Sequence, residues 1–125
     1  SENTLVGVPA AGLVAAVHVK VWDRVAAGAP LLQLDDRELR ALLRTQESGV
    51  AVAEAQLRKA RTPLARVETL HRSGAVPDDE LDARRNDVAL AEAQLAAARA
   101  AVAQTEALLE RLTVRAPLAG TVLQV

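Results

Sequence analysis

The side chains that could carry out acid–base or metal chemistry are few in this chain of 125 residues. His18 and His71 are the two histidines, and the absence of cysteine excludes disulfides, thiolate metal sites and thiol catalysis. His18 falls in a predicted strand and His71 lies next to a predicted turn between two helices. We therefore expect no shared metal site and interpret both histidines as surface residues.

Carboxylates form two clusters that helix electrostatics explains better than catalysis or metal binding. Acids at the start of a helix accept hydrogen bonds from free backbone N–H groups and favour the positive end of the helix dipole. No nucleophilic serine motif, glycine-rich phosphate loop or metal-ligand spacing accompanies them. We predict that the protein is not an enzyme. The clusters are Asp35, Asp36 and Glu38, and Asp78, Asp79, Glu80 and Asp82.

The composition favours a helical hairpin over a globular domain. Half of the residues are hydrophobic, yet many of these are alanine, and Trp22 is the only aromatic residue. Without Phe, Tyr or Met a globular core lacks its bulky filling, whereas alanine favours helix and lets two helices approach closely. The net charge of -1 gives no basic surface for nucleic acid, so we expect no nucleic-acid partner.

Residues 36–112 have the spacing of a coiled coil in two segments, joined by a short turn at 73–77. Apolar residues recur at alternating steps of four and three, which is the spacing of a seam between packed helices. Two seams of matched length predict one antiparallel hairpin. Gln46, Arg84 and Thr105 are the polar exceptions. The seam positions are Leu39, Leu43, Gln46, Val50, Ala53, Leu57, Ala60, Leu64 and Val67, then Leu81, Arg84, Val88, Ala91, Leu95, Ala98, Val102, Thr105, Leu109 and Leu112.

Three residues bear on the course of the first helix. Gly49 and Pro63 cost about 1 and about 3 kcal/mol in a helix interior. We expect a kink near Pro63, with a break of the helix into two pieces as the alternative. Gly74 is placed to end the helix in a left-handed conformation.

The two ends of the chain have strand character. Alternation within residues 12–21 places Val17, Val19 and Val21 on one face of a strand, with His18 and Lys20 on the other. About thirty residues of β structure are too few to bury a core alone. Since an antiparallel hairpin returns its end to its beginning, the two ends are expected to form one sheet structure. The other predicted strands are 6–9, 30–34, 113–116 and 120–125.

The predicted fold class is therefore α+β, a long antiparallel coiled-coil α-hairpin inserted into a small, incomplete β domain. The predicted divisions are residues 1–35, residues 36–112 and residues 113–125. Because the chain stops after Val125, before any further strand, we expect it to be a fragment.

The stretches Gly12–Val14 and Val25–Asp35 precede the coil and Leu112–Val122 follows it, and the last contains the pattern R-A-P-x-x-G-x-V at 115–122. With the coil between them they resemble the haemolysin-D-type membrane fusion proteins, also called periplasmic adaptor subunits. This resemblance implies a biotinyl/lipoyl-like β domain split by the hairpin. Residues 1–35 would be its first half, and residues 113–125 the start of its second half.

The first half also resembles true biotinyl and lipoyl carrier domains, in which a lysine on a β-turn carries the prosthetic group. Laying residues 31–35 on that pattern puts Glu38 where the lysine belongs, and a carboxylate cannot form that amide. We therefore expect no cofactor. Trp22 stands before Asp23, where these domains usually have glycine, and it either caps the small β core or alters the turn.

The predicted turn between the helices carries a further resemblance. Adaptors that dock on TolC-type outer-membrane channels often have Arg, then Leu four residues later, then Ser seven after that. Arg66 and Leu70 match this pattern, while Pro77 stands in the Ser position. The resemblance implies a partner-binding tip at Arg66, Leu70 and Pro77, with the alternative that Leu70 only closes the coil and Arg66 is solvated.

As a whole, the resemblance implies an adaptor of the periplasm, associated with the inner membrane in the full-length protein. Its implied partners are a TolC-type outer-membrane channel, an inner-membrane transporter of the ABC, RND or MFS class, and copies of itself in a ring of six. Two alternatives stay open. One is an adaptor of a single-membrane exporter without an outer-membrane channel, and the other is a biotin- or lipoate-carrier-like domain.

Overall fold

The structure, a computed structural model, describes residues 13–122. The chain divides into two compact units, residues 1–41 with 105–125 and residues 42–104. The predicted boundaries after residues 35 and 112 remain a prediction. The architecture is α+β, a two-helix hairpin with small antiparallel sheets, as expected from the sequence.

Two long helices dominate the described chain. Helix α1 runs from Arg37 to Arg72 and helix α2 from Asp78 to Arg111. Both are rich in Ala, Leu, Glu, Gln and Arg, which lose little side-chain freedom in a helix. Pro63 lies inside α1 without ending it, so the alternative of two separate pieces is wrong. The expected kink at Pro63 stays a prediction.

The predicted seam is confirmed by burial, because every seam position is buried or half-buried. Between residues 42 and 104 the centre of the seam is one apolar cluster that joins the two helices. Most of its members are small, so the few leucines supply most of the buried apolar volume. The cluster consists of Ala53, Leu57, Val88, Ala91 and Leu95, with Val50, Ala60, Leu64 and Ala98 packed against it.

The polar exceptions in the seam are accommodated individually. Thr105 is buried. Arg84 is half-buried, and its Nη1 lies 2.9 Å from Asp87 Oδ2, while its buried Nε lies 3.7 Å from Glu80 Oε1 and has no hydrogen-bond partner among the described residues. Arg84 therefore meets the seam through its aliphatic stem and places its charge beside two carboxylates.

Strands from the two ends of the chain pair with each other. Strand β1 (Val14–Val17), β3 (Pro30–Leu34) and β4 (Thr113–Arg115) form a three-stranded antiparallel sheet in the order β1-β3-β4. Strand β2 (Arg24–Val25) pairs with β5 (Gly120–Thr121). The hydroxyl of Thr113 donates to Gln33 Oε1 at 2.5 Å, linking β4 to β3 across the inserted helices. The predicted insertion of a hairpin into a β domain is thus confirmed.

The strand predicted at 12–21 is shorter in the structure, so the proposed alternation through Val19 and Val21 is wrong. Asp23 causes the difference. Its backbone N–H donates to Lys20 O at 3.0 Å, and its Oδ2 accepts the Lys20 N–H at 2.7 Å, which closes a tight turn.

Trp22 occupies the third position of this turn with a φ of 75°. A positive φ there is what a type II turn requires, and glycine adopts it without strain. Trp22 is 72% exposed, so it does not cap the β core. Of the two roles predicted for Trp22, the structure supports the altered turn.

The remaining predicted strands agree in part. The strand at 30–34 is confirmed, and those at 113–116 and 120–125 appear as the shorter β4 and β5. The strand predicted at 6–9, Gly12, and the end of the strand at 120–125 lie outside the described residues.

Candidate partner-binding site at the hairpin tip

The end of α1 is closed by a Schellman motif, which fixes the turn between the helices. Gly74 has a φ of 78°. Its N–H donates to His71 O at 3.0 Å, and the N–H of Ala75 donates to Leu70 O at 2.9 Å. The Ser73 hydroxyl also donates to Leu70 O, at 2.8 Å. Carbonyl groups that the helix end would leave free therefore accept hydrogen bonds from the turn itself.

A side-chain bridge connects the end of α1 to the start of α2. His71 Nε2 lies 2.5 Å from Asp78 Oδ1. His71 lies in the last turn of α1, and Asp78 is the first residue of α2, so both positions suit the helix dipoles. The sequence predicts a surface histidine at 71, and the structure adds this partner to it. The only signal in the sequence was a histidine before the turn and an acid directly after it.

The predicted tip residues Arg66, Leu70 and Pro77 are all exposed. Arg66 and Leu70 are four residues apart on α1, so they are neighbours on one side of the helix. Within residues 13–122, Arg66 makes neither an ion pair nor a side-chain hydrogen bond. Pro77 directly precedes α2. The structure thus brings an unpaired guanidinium and a 39%-exposed leucine together near the turn.

The two sides of the helical seam differ in chemistry. Glu54, Arg58 and Arg61 lie on one side of the α1 seam, and Arg99 of α2 lies on the same side, because its Nη2 is 3.7 Å from Glu54 Oε1. We call these four residues the charged flank. The exposed large hydrophobic residues between 42 and 104 all occupy heptad positions on the other side. This apolar flank consists of Leu42, Val52, Leu70 and Leu90, and Arg66 lies on the same side.

The carboxylates at the start of α1 have the role that the sequence predicts, because they bind groups of the first helical turn. Asp35 Oδ1 accepts the backbone N–H of Arg37 at 3.2 Å and its side-chain Nε at 3.1 Å. The hydrogen bonds from the Arg37 side chain, followed by that from its backbone N–H, hold the pKa of Asp35 below its ordinary value. Asp36 Oδ2 binds Arg40 Nε at 2.6 Å. Glu38 lies in the first helical turn and is exposed.

Within residues 13–122 no three His, Asp or Glu side chains are grouped so as to hold a metal ion. Neither α1 nor α2 contains an apolar stretch long enough to cross a membrane. His18 and His71 belong to different units.

A family model described as "EMRA, alpha-helical hairpin domain" matches residues 35–117, which is most of the chain and includes both helices. The chain belongs to the EMRA α-helical hairpin domain family. The membrane-fusion-protein resemblance seen in the sequence is therefore confirmed, without assignment to the haemolysin-D subtype. A search of curated proteins found no match.

Solved structures share the fold of this EMRA-type hairpin. The membrane fusion protein Spr0693 from Streptococcus pneumoniae R6 is 24% identical, with a TM-score of 0.71 over 91% of this chain and 48% of that one. ZneB from Cupriavidus metallidurans is 25% identical, with a TM-score of 0.60 over 94% of this chain and 49% of that one. The periplasmic adaptor protein EmrA is 11% identical, with a TM-score of 0.55 over 97% of this chain and 65% of that one. The chain thus spans about half the length of the first two proteins.

Proposed function

We propose that this EMRA-type hairpin is part of a periplasmic adaptor that bridges an inner-membrane transporter and an outer-membrane channel in efflux or secretion. The observation that supports this most directly is the tip of the hairpin. An unpaired Arg66 and an exposed Leu70 lie side by side there, next to a turn held by backbone and side-chain hydrogen bonds. Membership of a family that includes periplasmic adaptors supports the same role.

The tip is suited to docking because its groups offer complementary contacts. The guanidinium of Arg66 presents several N–H donors in a fixed plane, which suits channel carbonyls or carboxylates. Leu70 supplies an apolar surface one helical turn away. Pro77 has no backbone N–H and no hydroxyl, so it offers packing surface and no donor at the position where the Arg-Leu-Ser pattern has serine.

The rigid turn strengthens this proposal. A binding surface that is already ordered loses less conformational entropy on association. The Schellman bonds at Gly74 and Ala75 and the His71–Asp78 bridge order the tip before any partner arrives.

The remaining partners are proposed from the resemblance to adaptor proteins. The transporter would be of the ABC, RND or MFS class, and copies of the adaptor would form a ring, six by resemblance. In the full-length protein the adaptor would lie in the periplasm and be attached to the inner membrane. It would act by holding the transporter and the channel in position, and it would not be an enzyme.

The carrier-domain alternative receives no support from the geometry. Position 38, where a carrier lysine would stand, is a glutamate in the first turn of α1 and not a residue of a β-turn. Co-expression with a biotin or lipoate ligase should therefore leave the intact mass of the protein unchanged. An added mass equal to either group would overturn this expectation.

Docking can be tested by measuring binding of the protein to a purified TolC-type channel in detergent. Replacing Arg66 by Ala together with Leu70 by Ser should weaken binding about tenfold or more, as expected when a charged and an apolar contact are lost together. The matched control replaces Arg44 by Ala and Leu42 by Ser, one of them on the apolar flank and both far from the tip in sequence. Equal affinity of the two double variants would refute tip docking.

A transport assay with the full-length protein distinguishes the bridging adaptor from the alternative of a single-membrane exporter. If the tip double variant exports substrate as well as the unaltered protein, no outer-membrane channel is engaged through Arg66 and Leu70. A loss of export with normal protein levels would support the bridging role.

A further inference from the structure

The two helices of the hairpin carry opposite net charge. Between residues 42 and 104, α1 has six basic and three acidic residues, while α2 has three basic and six acidic residues. With His71 counted as neutral, this part of α1 has a net charge of +3 and this part of α2 a net charge of -3. The positions of these charges on each helix indicate what the division is for.

The minority charges of each helix lie in or next to the seam, on the side of the other helix. The acidic residues of α1 all occupy the heptad position of Glu54, whose Oε1 is 3.7 Å from Arg99 Nη2. Attraction within one chain therefore uses the minority charges. They are Glu47, Glu54 and Glu68 in α1, and Arg84, Arg85 and Arg99 in α2.

The majority charges dominate the outer faces, which we define as the three heptad positions of each helix farthest from the seam. The outer face of α2 contains Asp79 and Asp82, no basic residue, and no charge from 83 to 104. All charged residues of both outer faces are exposed, and none forms an ion pair within the part of the chain that the structure describes. The outer face of α1 contains five basic residues and no acidic one, namely Arg44, Arg58, Lys59, Arg66 and Arg72.

Basic and acidic residues of the two outer faces lie at the same level along the hairpin. The pair Glu54–Arg99 shows which residues of the antiparallel helices are level with each other. Eighteen residues nearer the tip, from 54 to 72, α1 reaches Arg72. The same count along α2, from 99 to 81, reaches a point between Asp79 and Asp82. A second copy placed alongside in the same direction would therefore bring these two carboxylates opposite Arg72.

Only one way of pairing the outer faces joins opposite charges. Two α1 faces would bring basic residues together, and two α2 faces would offer no basic residue to Asp79 or Asp82; like charges that face each other oppose association. The face of α1 against the face of α2 pairs the two signs. At the level of Arg58 and Lys59, the face of α2 is mainly alanine, which leaves room for the long aliphatic stems of these side chains.

We propose that a second copy of the chain packs alongside the first in the same direction, with the outer face of α1 against the outer face of α2 of the neighbouring copy. Arg72 then lies between Asp79 and Asp82 of that copy. Because each copy uses two different faces, the contact can continue from copy to copy and close into a ring. The shared direction rests on the proposed function, since adaptors that dock on one channel point their tips the same way.

The test is cross-linking between single-cysteine variants with a short bismaleimide. The chain has no cysteine, so each introduced thiol is the only one in its variant. Ala55→Cys places a thiol on the outer face of α1, and Ala100→Cys places one at a similar level on the outer face of α2. A mixture of the two variants should give about fivefold more cross-linked dimer than either variant alone, as expected for about 1 kcal/mol between attraction and repulsion.

Charge reversal tests the contact at the tip end. Arg72→Glu, introduced into both cysteine variants, should lower the yield of the mixture about threefold or more, and so should Asp82→Arg. Both changes in one chain should restore most of the yield, because opposite charges then face each other again. Arg61→Glu is the matched control. It makes the same charge change on α1 next to the seam, and the yield should stay within about twofold.

Three results would overturn the proposal. They are a mixture that gives no cross-linked dimer, Ala55→Cys or Ala100→Cys alone giving as much dimer as the mixture, and a double reversal that restores nothing. Helical circular dichroism checks that each variant is folded. No channel protein is present in this assay, so its result does not depend on docking at the tip. Cross-linking as expected together with failure of the channel-binding test would refute tip docking alone.

Discussion

Leu57 offers the sharpest test of the helix pairing. It is 6% exposed and contacts a cluster whose other members are Ala53, Val88, Ala91 and Leu95. Leu57→Ala removes three buried carbons, which is a transfer loss of about 2 kcal/mol. The alanines around it have no side chain that could move into the space, so a cavity remains. We therefore expect a total destabilisation of about 3 kcal/mol, within the usual range for such changes.

The assay is urea unfolding followed by helical circular dichroism. A destabilisation of about 3 kcal/mol should lower the urea midpoint by roughly 1 to 2 M for a chain of this size. Leu90→Ala is the matched control, because it makes the same chemical change in the other helix at a position that is 61% exposed. Its effect should stay within about 0.5 kcal/mol.

Two results would refute the pairing. An unchanged midpoint for Leu57→Ala would mean that Leu57 is not enclosed between the helices. Equal losses for Leu57→Ala and Leu90→Ala would mean that the seam and the apolar flank are equally buried in solution, which is incompatible with this hairpin.

Three further changes test the turns and the start of α1. Gly74→Ala should lower the midpoint of the same urea curve by an amount equivalent to about 1 kcal/mol, because alanine is strained at a φ of 78° while nothing lies within 4 Å of its methyl group. Trp22→Gly should stabilise the β unit and so slow amide exchange in strands β3 and β4. The change relieves left-handed backbone strain of about 1 kcal/mol, and it loses little buried surface because Trp22 is mostly exposed. Asp35→Asn should lower the urea midpoint slightly at neutral pH, and this difference should disappear as the pH falls through the lowered pKa of Asp35, because the hydrogen bonds from Arg37 stabilise the fold only while the carboxylate is charged.

Each of these changes has a control or an opposing result. Gly49→Ala, inside α1, should stabilise the fold by about 0.5 to 1 kcal/mol, so a loss at both glycines would contradict the turn argument. Gly28→Ala, at a φ of 83°, should speed the exchange that Trp22→Gly slows. The midpoint difference for Asp35→Asn should also shrink in high salt, since the pair with Arg37 is exposed. A difference that persists at low pH would show that the carboxylate charge is not its cause.

The helices were predictable because their signal is periodic and long. Many seam positions repeat one rhythm, so a single polar residue such as Arg84 or Thr105 does not hide it. The same redundancy explains why α1 continues through Pro63. One lost hydrogen bond is outweighed by apolar contacts on both sides, from Ala60 and Leu64.

The short strands were less predictable because single residues decide their ends. A run of valines predicts a strand through residue 21, yet two hydrogen bonds between Asp23 and Lys20 turn the chain after residue 19. Strands of two to five residues contain too few alternations to outweigh such a turn. Their pairing was still foreseeable, because the return of the hairpin brings β4 beside β3.

The candidate sites depend on which side of the seam a residue occupies. In a two-helix hairpin every position outside the seam faces outward, so exposure alone does not separate binding residues from solvated ones. The pair Glu54–Arg99 links the two helices on one side and thereby assigns the other side to Leu70 and Leu90. Each flank then has its own chemistry, with charged side chains on one and exposed leucines on the other. Specificity in this hairpin is therefore expected to reside in its flanks and tip, while the seam supplies stability alone.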